Sequence, residues 1–599
     1  MIRVADYVAK KIADSGVNHV FMVTGGGAMF LNNAFGSEPR IKCIFNHHEQ
    51  ASAMAAEGYA RVLNQIGVVN VTSGPGSINA LNGVFGAWTD SIPMLVISGQ
   101  SKRETLVSTY NLPNLRQLGD QEVDIIKMVR GITKYSILIT EPTSIRYHLE
   151  KALYLAKSGR PGPCWLDIPI DVQSSLVDET LLEPYLEDEI IFPPREEILK
   201  KAQFVLQKII SSKRPVIIAG TGIRLSDSVE VFDKVIHKLG IPVTTAWTHD
   251  VIDSDDPLFC GRPGTIGTRA GNFVVQNADL VITIGSRLNI RQVSFNWLSF
   301  AKSAYKIQID IDPAELDKPT IKPNMGIQCD AKYFLQVLNE IIDIRTYDSK
   351  KHKDWLAWCK ERTRKYPSVT PAQRVFKGAI NPYLFIEKLF SLLDEKDTVV
   401  CGNASACIIP FQVAKIKKGQ RLFSNSGSAS MGYDLPAAIG AAFASNPNRV
   451  ICIAGDGSLQ MNIQEFQTLK HYQLNLKCFV INNNGYLSIR SSQKNFFNQL
   501  TGESPQSGIT FPDIKKVTEA YGLMAFRLDS ENFYESLKSI LALPGPVVCE
   551  VVVDPDQGFE PRMSSKQMPD GKIISPSLED MYPFLSREEL NDNMISSHE

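Results

Sequence analysis

Two oxygen-bearing side chains in the last third of the chain stand where a hard cation could be held. In RVICIAGDGSLQMNIQEF, 449–466, an apolar run ends at Ala454 and Asp456 occupies the turn after it. In LKCFVINNNGYL, 476–487, a second apolar run ends at Asn482 and Asn483. Roughly 27 residues separate Asp456 from Asn483, enough for one helix and one return strand of a parallel βαβ unit. Such a unit puts the carboxylate and the amide at neighbouring strand ends, the edge of a parallel sheet where ligands bind. A carboxylate, an amide oxygen and a free carbonyl are hard ligands suited to Mg²⁺, which completes its octahedron with water and phosphate oxygens. Gly455 and Gly457 let the backbone approach a diphosphate, and the following helix start adds N–H donors. Gly-Asp-Gly alone reads first as a plain turn; the asparagines one unit later reverse that and favour the cation.

The elements that must position these residues form three α/β stretches. Apolar runs at 20–23, 42–45, 67–71, 94–98 and 164–168 alternate with helical patterns in the first, which includes an Ala-rich pattern from Glu49 to Leu63. Runs at 215–220, 279–285 and 305–312 mark the second; runs at 397–401, 449–455, 476–482 and 546–554 mark the third. An acidic, Pro-containing linker at 182–197 and an amphipathic helix running into a Pro-containing connection at 351–374 separate them. The expected fold class is α/β, with three doubly wound parallel-sheet domains at 1–181, 198–345 and 375–560 and a tail at 561–599. At 44% hydrophobic and 21% charged residues, disorder is excluded as the main state. Lys+Arg 63 against Asp+Glu 64 leaves no basic excess for a phosphate backbone, so no nucleic-acid partner is expected. No apolar run is long enough to span a membrane, and the first residues lack a signal-peptide core. The ten cysteines form no C-x-x-C pair, so a zinc or dithiol site has no support and a cytoplasmic protein with reduced thiols is expected.

The GDGS…NN pairing is similar to the motif of thiamine-diphosphate enzymes of the acetolactate synthase and pyruvate decarboxylase type, and the resemblance extends from residue 1 to about 560. It implies that Asp456, Asn483 and the carbonyl of Gly485 ligate Mg²⁺, with Gly455, Gly457 and Ser458 at the diphosphate. HHEQASAMAAEGYAR at 47–61, followed by VTSGPGSINALNG at 71–83, resembles the family's pyrimidine domain, and implies that Glu49 is the activating glutamate that exchanges a proton with the aminopyrimidine ring. Read alone, Glu49 is a first-turn glutamate complementing a helix dipole; Glu57 reads as structural. VTGGGAMF at 23–30 matches a glycine loop at the substrate entrance, through Gly25, with Thr24 where the synthases often carry Pro. Gln121 matches a glutamine facing the site. SNSGSASMGYDLPAAIGAA at 424–442 implies Met431 as the wedge under a folded cofactor and the Ala429 carbonyl as acceptor for its amino group. CGNASAC at 401–407 offers Ser405 as a donor to the diphosphate.

GTG at 220–222, GSRLNIR at 285–291 and IDIDPAEL at 309–316 resemble synthase segments that hold FAD, through Arg287, Arg291 and Asp310. GSRLNIR lacks two acids of the family pattern, and relatives keep this domain as scaffold without flavin. FAD is expected here as a non-redox cofactor.

Family members place the cofactor between the pyrimidine domain of one chain and the diphosphate domain of another, which implies a homodimer or homotetramer. The implied reaction decarboxylates a 2-oxo acid, with pyruvate first, and transfers the two-carbon unit to an acceptor carbonyl. Where the synthases place Met and Trp after the asparagines, this chain has Ser488 and Ser492. Together with the tail SSKQMPDGKIISPSLEDMYPFL, which resembles enzymes of surface-polysaccharide and branched-sugar synthesis, this points to a roomier acceptor site for a keto sugar. Arg490 and Lys494 are candidates to meet a phosphorylated or nucleotide-linked acceptor, although helix charges are usually solvated. Acetolactate synthesis and simple decarboxylation are the rival readings. A flavin or nicotinamide oxidoreductase explains the middle glycines but not Glu49 with Asp456 and Asn483.

Overall fold

A computed structural model describes residues 1–595 except 111, 113, 188–192, 247–249, 346 and 498. Parts of the expected linker (188–192) and the end of the expected tail (596–599) thus lie outside the described residues. Three parallel sheets of six, five and six strands form the cores of three α/β domains. Every interior strand coincides with one of the apolar runs, because a parallel strand covered by helices on both faces is mostly apolar, with single polar residues such as Asn70, Lys477 and Glu550.

The first and third sheets share one topology. In the first, the order across the sheet is Lys42–Phe45, His19–Met22, Gly67–Val71, Met94–Gln100, Pro163–Pro169, Tyr135–Leu138. In the third it is Arg421–Phe423, Thr398–Cys401, Val450–Gly455, Leu476–Asn482, Val547–Val552, Met524–Leu528. Both therefore have a switch point between their first and third strands in sequence, the crevice where open α/β sheets bind ligands. Gly25 and the 73–76 loop sit at this crevice in the first domain, and the 402–405 and 455–458 turns sit there in the third.

The two terminal domains meet through equivalent helices, Glu49–Leu63 and Asp434–Ser445, each following the second strand of its domain. They run antiparallel at backbone contact. A Cβ on Gly58 would collide with the Ala437 carbonyl, and one on Gly440 with the Ala55 carbonyl. Beside this contact lies a buried polar network. Glu57 accepts from Arg61 Nε at 2.7 Å and from the Tyr433 hydroxyl. Arg61 also donates to Asp90 at 2.7 Å, and Asp90 accepts the Gly427 N–H at 2.9 Å. Glu57 is structural, as its sequence context implies. The middle domain joins through Arg160, which pairs with Asp312 and Glu315, and through Arg421, which bridges Asp250 and the Arg61 carbonyl.

The tail is docked rather than free. Asn272 donates to the Leu578 carbonyl, Arg269 to those of Met581 and Pro583, and Asn277 to that of Asn593, with all three donors on the middle domain. Leu578 is fully buried there. All ten cysteines are free, and no helix among the described residues is long and apolar enough to cross a membrane.

Removing Glu57 leaves the buried Tyr433 hydroxyl without its acceptor and Arg61 with Asp90 alone, so Glu57→Ala should cost about 3 kcal/mol. Urea denaturation reads this; an unchanged midpoint would contradict a structural role for the network. Asp167 supplies a second test. Burial pushes its carboxyl up to about 7, against bonds donated by Ser98 Oγ at 2.6 Å and Gln100 Nε2 at 3.0 Å. In the unfolded chain it ionises near pH ~4, so stability present below that is lost as the pH rises through about 7. Asp167→Asn should flatten that part of the stability–pH curve; a curve parallel to wild type would show that another group is responsible.

Candidate active site

Strands Val450–Gly455 and Leu476–Asn482 pair in register, Gly455 beside Ile481, so their ends adjoin as the spacing requires. Asp456 opens the short helix Asp456–Leu459 and is buried. Its carboxylate accepts the N–H of Gly457 at 2.8 Å and of Gly485 at 3.1 Å. Burial raises it to about 6, while those N–H groups favour the charged form. Asn483 is also buried, and its Nδ2 donates to Ser405 Oγ at 3.4 Å, which leaves the amide oxygen as its ligand atom. Asn484 and Gly485 have φ of 53° and 134°, so the turn after the strand takes left-handed backbone at two consecutive residues. A side chain at Gly457 would strike the Tyr486 ring, whereas one at Gly455 would meet only Ser458 at 3.8 Å. Packing demands glycine at 457; at 455 it leaves the backbone accessible. A buried carboxylate, an amide oxygen and a turn carbonyl on one crevice fit a divalent cation carrying phosphate oxygens.

The loop before Asp434–Ser445 lies over the same crevice. Ala429 is left-handed, φ 52°, and its carbonyl accepts from Asn403 Nδ2 at 3.3 Å, with one lone pair to spare. Met431 is half-buried beside Gly432. Ser458 is expected at a diphosphate, but its Oγ accepts the Gly432 N–H at 2.9 Å and so ties this loop to the cation turn.

Glu49 belongs to the other crevice. It begins its helix, capped by His48, whose Nδ1 accepts the Gln50 N–H at 3.0 Å. The carboxylate accepts from Asn79 Nδ2 at 3.0 Å, and Oε1 lies 3.2 Å from where a Gly76 Cβ would be. Gly74, φ 55°, is backed by the Gln121 carbonyl, and Gln121 is itself left-handed at φ 56° and exposed. A Gly25 side chain would run into Thr72, 2.5 Å from its Cβ, while Thr72 Oγ1 accepts the Gly27 N–H at 3.1 Å. The structure thus gathers Gly25, Glu49 and Gln121 around one glycine loop. Asn79 does not stand out in the sequence; its place one turn into the helix after SGPG is the only signal it gives.

Within one chain, residues near Glu49 and Asn79 pack against the domain of the cation turn, Asn462 Nδ2 lying 3.8 Å from Met54 Sδ and Ser430 Oγ donating to Asn82 Oδ1 at 2.8 Å. Glu57 holds Tyr433, at the start of the Asp434 helix, and Glu49 lies eight residues further along its own helix, roughly 12 Å away at ~1.5 Å per residue. The residues before Glu49 contact another element, with Asn46 Nδ2 and His47 N–H both donating to Glu465.

A cavity of about 340 Å³ opens where the three domains join, lined by Gly222, Arg224, Arg287, Asp310, Asp330 and Arg61 among others. Gly220 and Gly222 press on Gly285, which brings the backbone to its wall. Burial lifts the Asp310 carboxyl to about 6. Arg287 and Asp310 both line this cavity. Arg291 does not line the cavity: its side chain is exposed, and its carbonyl accepts the Thr265 N–H.

On the helix Leu487–Phe496, Ser488 is half-buried, and Ser492 is exposed with Oγ bonded to the Ser488 carbonyl. Lys494 is exposed, 3.3 Å from Asp556. Arg490 is buried and committed to protein partners, so it cannot reach an acceptor.

Comparison with known families finds the thiamine pyrophosphate enzyme N-terminal TPP binding domain at residues 2–128, the central domain at 202–338, and the C-terminal TPP binding domain at 402–551. The chain is 31% identical to acetolactate synthase 1, chloroplastic, of Zea mays over 572 residues, covering 94% of this chain and 87% of that protein. It is 32% identical to the acetolactate synthase large subunit of Pyropia yezoensis over 567 residues, 92% of each. With acetolactate synthase 2, chloroplastic, of Nicotiana tabacum the identity is 31%, over 94% of this chain and 83% of that one.

Asp456→Ala should weaken thiamine diphosphate binding at fixed Mg²⁺ by more than about tenfold, because loss of a cation ligand is felt directly in affinity. Fluorescence titration measures it; undiminished affinity would place the cation elsewhere.

Proposed function

This chain belongs to the thiamine pyrophosphate enzymes, and from that premise we propose that it decarboxylates a 2-oxo acid, pyruvate first, and transfers the two-carbon unit to an acceptor carbonyl of the keto-sugar class. The observation that carries the reaction type is the pair of matched crevices, one holding a glutamate beside a glycine loop and the other a buried carboxylate–amide turn. Thiamine diphosphate, when bound, supplies a thiazolium carbon that adds to a ketone and accepts the electrons released with carbon dioxide. Asp456, the Asn483 amide oxygen and the Gly485 carbonyl would hold Mg²⁺ at the diphosphate. The start of the Ser405–Val413 helix would face the same charge. Glu49, oriented by Asn79, would exchange a proton between its carboxylate oxygen and the aminopyrimidine ring nitrogen. Met431 and the Ala429 carbonyl would fix the cofactor's bend.

The glutamate crevice of one chain is proposed to close on the cation crevice of a second copy. Supporting this, Ile78, Phe85 and Trp88 form an exposed apolar stripe on the helix Pro75–Asp90, the same helix that carries Asn79. Arg287 and Asp310 would hold the nucleotide of FAD in the three-domain cavity as a non-redox group. Ser488 and Ser492 support the larger acceptor, since both side chains are small on the helix that follows the cation turn. The 31% identity to acetolactate synthases over nearly the whole chain supports a second reading, in which pyruvate is also the acceptor.

Glu49→Gln should keep cofactor binding and lower turnover about 10²–10⁴-fold, the usual worth of acid–base help; near-wild-type turnover would overturn the mechanism. Product analysis with pyruvate, with and without a ketose acceptor, decides between the readings. A two-carbon adduct of the ketose is expected; acetolactate as the sole product with both substrates present would select the second reading, and free acetaldehyde alone a decarboxylase.

A further inference from the structure

Arg490 stands at the first turn of the helix Leu487–Phe496, and only 7% of it is exposed. Its guanidinium makes four bonds. Nε donates to Glu503 Oε2 at 2.6 Å, Nη1 to the carbonyls of Pro555 at 2.8 Å and Asn483 at 3.3 Å, and Nη2 to the carbonyl of Asn484 at 2.8 Å. Glu503 is 1% exposed and held in turn, with Oε1 accepting from Ser504 Oγ and its backbone N–H donating to Ser507 Oγ. Its own carbonyl accepts the Tyr486 N–H at 2.8 Å and leaves no room for a side chain at Gly485. The turn 483–486 is therefore fixed from two sides. Asp456 takes the Gly485 N–H from below the strand ends, and the Arg490–Glu503 pair takes Asn483, Asn484 and Tyr486 from the other side.

A surface role does not account for a buried arginine spending its fork on three carbonyls. Nor does stability, because a buried ion pair is often no better than apolar residues of the same volume. What the arrangement does provide is direction. Two consecutive left-handed residues do not hold their conformation unaided, and carbonyls donated to by a planar fork cannot rotate. We propose that Arg490 and Glu503 are positioning residues that clamp the cation-ligating turn, so that the Asn483 side chain and the Gly485 carbonyl present octahedral, Mg²⁺-sized geometry. This rests on reading Asp456, Asn483 and Gly485 as the cation site.

Mg²⁺ demands near-ideal octahedral geometry at about 2.0–2.1 Å, whereas Ca²⁺ accepts longer, irregular coordination. A loosened turn should therefore lose Mg²⁺ affinity and lose its preference over Ca²⁺. The full-length protein is titrated with Mg²⁺ and with Ca²⁺ at fixed thiamine diphosphate, and cofactor uptake is followed by intrinsic fluorescence rather than by turnover. The main variant is Arg490→Met with Glu503→Leu, which keeps volume and removes the charges; Arg490→Lys keeps the charge but lacks the planar fork that reaches Glu503 and the three carbonyls from separate nitrogens. Both should raise the Mg²⁺ half-saturation roughly 10–100-fold, the range for partners that orient metal ligands, and shift the Mg²⁺/Ca²⁺ ratio toward Ca²⁺ with the melting temperature little changed. If the double variant does not fold, Arg490→Lys and Glu503→Gln carry the same comparison. An unchanged ratio and half-saturation, with Asp456→Ala abolishing both responses, would overturn the clamp and leave the cation site standing. Unchanged responses in Asp456→Ala as well would remove the cation site and the clamp with it.

Discussion

Two helices touching backbone to backbone set the geometry on which everything else depends. Gly58 against Ala437 and Gly440 against Ala55 bring Glu49–Leu63 and Asp434–Ser445 closer than side chains would allow. The network of Glu57, Arg61, Asp90 and Tyr433 then fixes their direction, because a buried charge without its partner is costly. That direction is antiparallel. The contact that makes the monomer cohere therefore also sets where the two crevices of one chain stand, and each is proposed to be completed by a second copy.

The shared strand order of the outer sheets carries over into the site. Each domain offers a crevice at the same topological place, one equipped with Glu49 and the SGPG loop, the other with Asp456, Asn483 and the 402–405 turn. A cofactor with a neutral ring at one end and a charged diphosphate at the other needs one of each. The middle domain differs in order and in role. It carries the three-domain cavity and receives the tail, and its acids tie the outer domains at Asp250 and Asp312.

The interior strands are legible in the sequence because burial on both faces leaves a mostly apolar run. Tyr135–Leu138, Met325–Gln328 and Met524–Leu528 are not, and each is an edge strand with half-exposed, mixed residues; the short edge strands Val243–Thr245 and Arg421–Phe423 are too brief to make a pattern. Of the site, Glu49, Asp456 and Asn483 stand out because their surroundings form long matching motifs. Arg291 and Arg490 show the limit. A charged residue's direction depends on contacts far along the chain: Arg490 turns inward because Glu503 and the Pro555 carbonyl are there, and nothing within its own helix announces them. Ser458 likewise binds a loop that precedes it by 26 residues, which no local pattern records.

The central claim is that a working site takes Glu49 from one chain and Asp456 from another. Hybrid oligomers test it most directly. Glu49→Gln and Asp456→Ala chains, each with its own tag, are co-expressed and the doubly tagged species is purified. If sites form between chains, each mixed pair contains one site with both changes and one with neither, so decarboxylation should return well above either parent. If the doubly tagged species stays as inactive as its parents while remaining assembled, both residues serve the same chain, and a site shared between chains is contradicted.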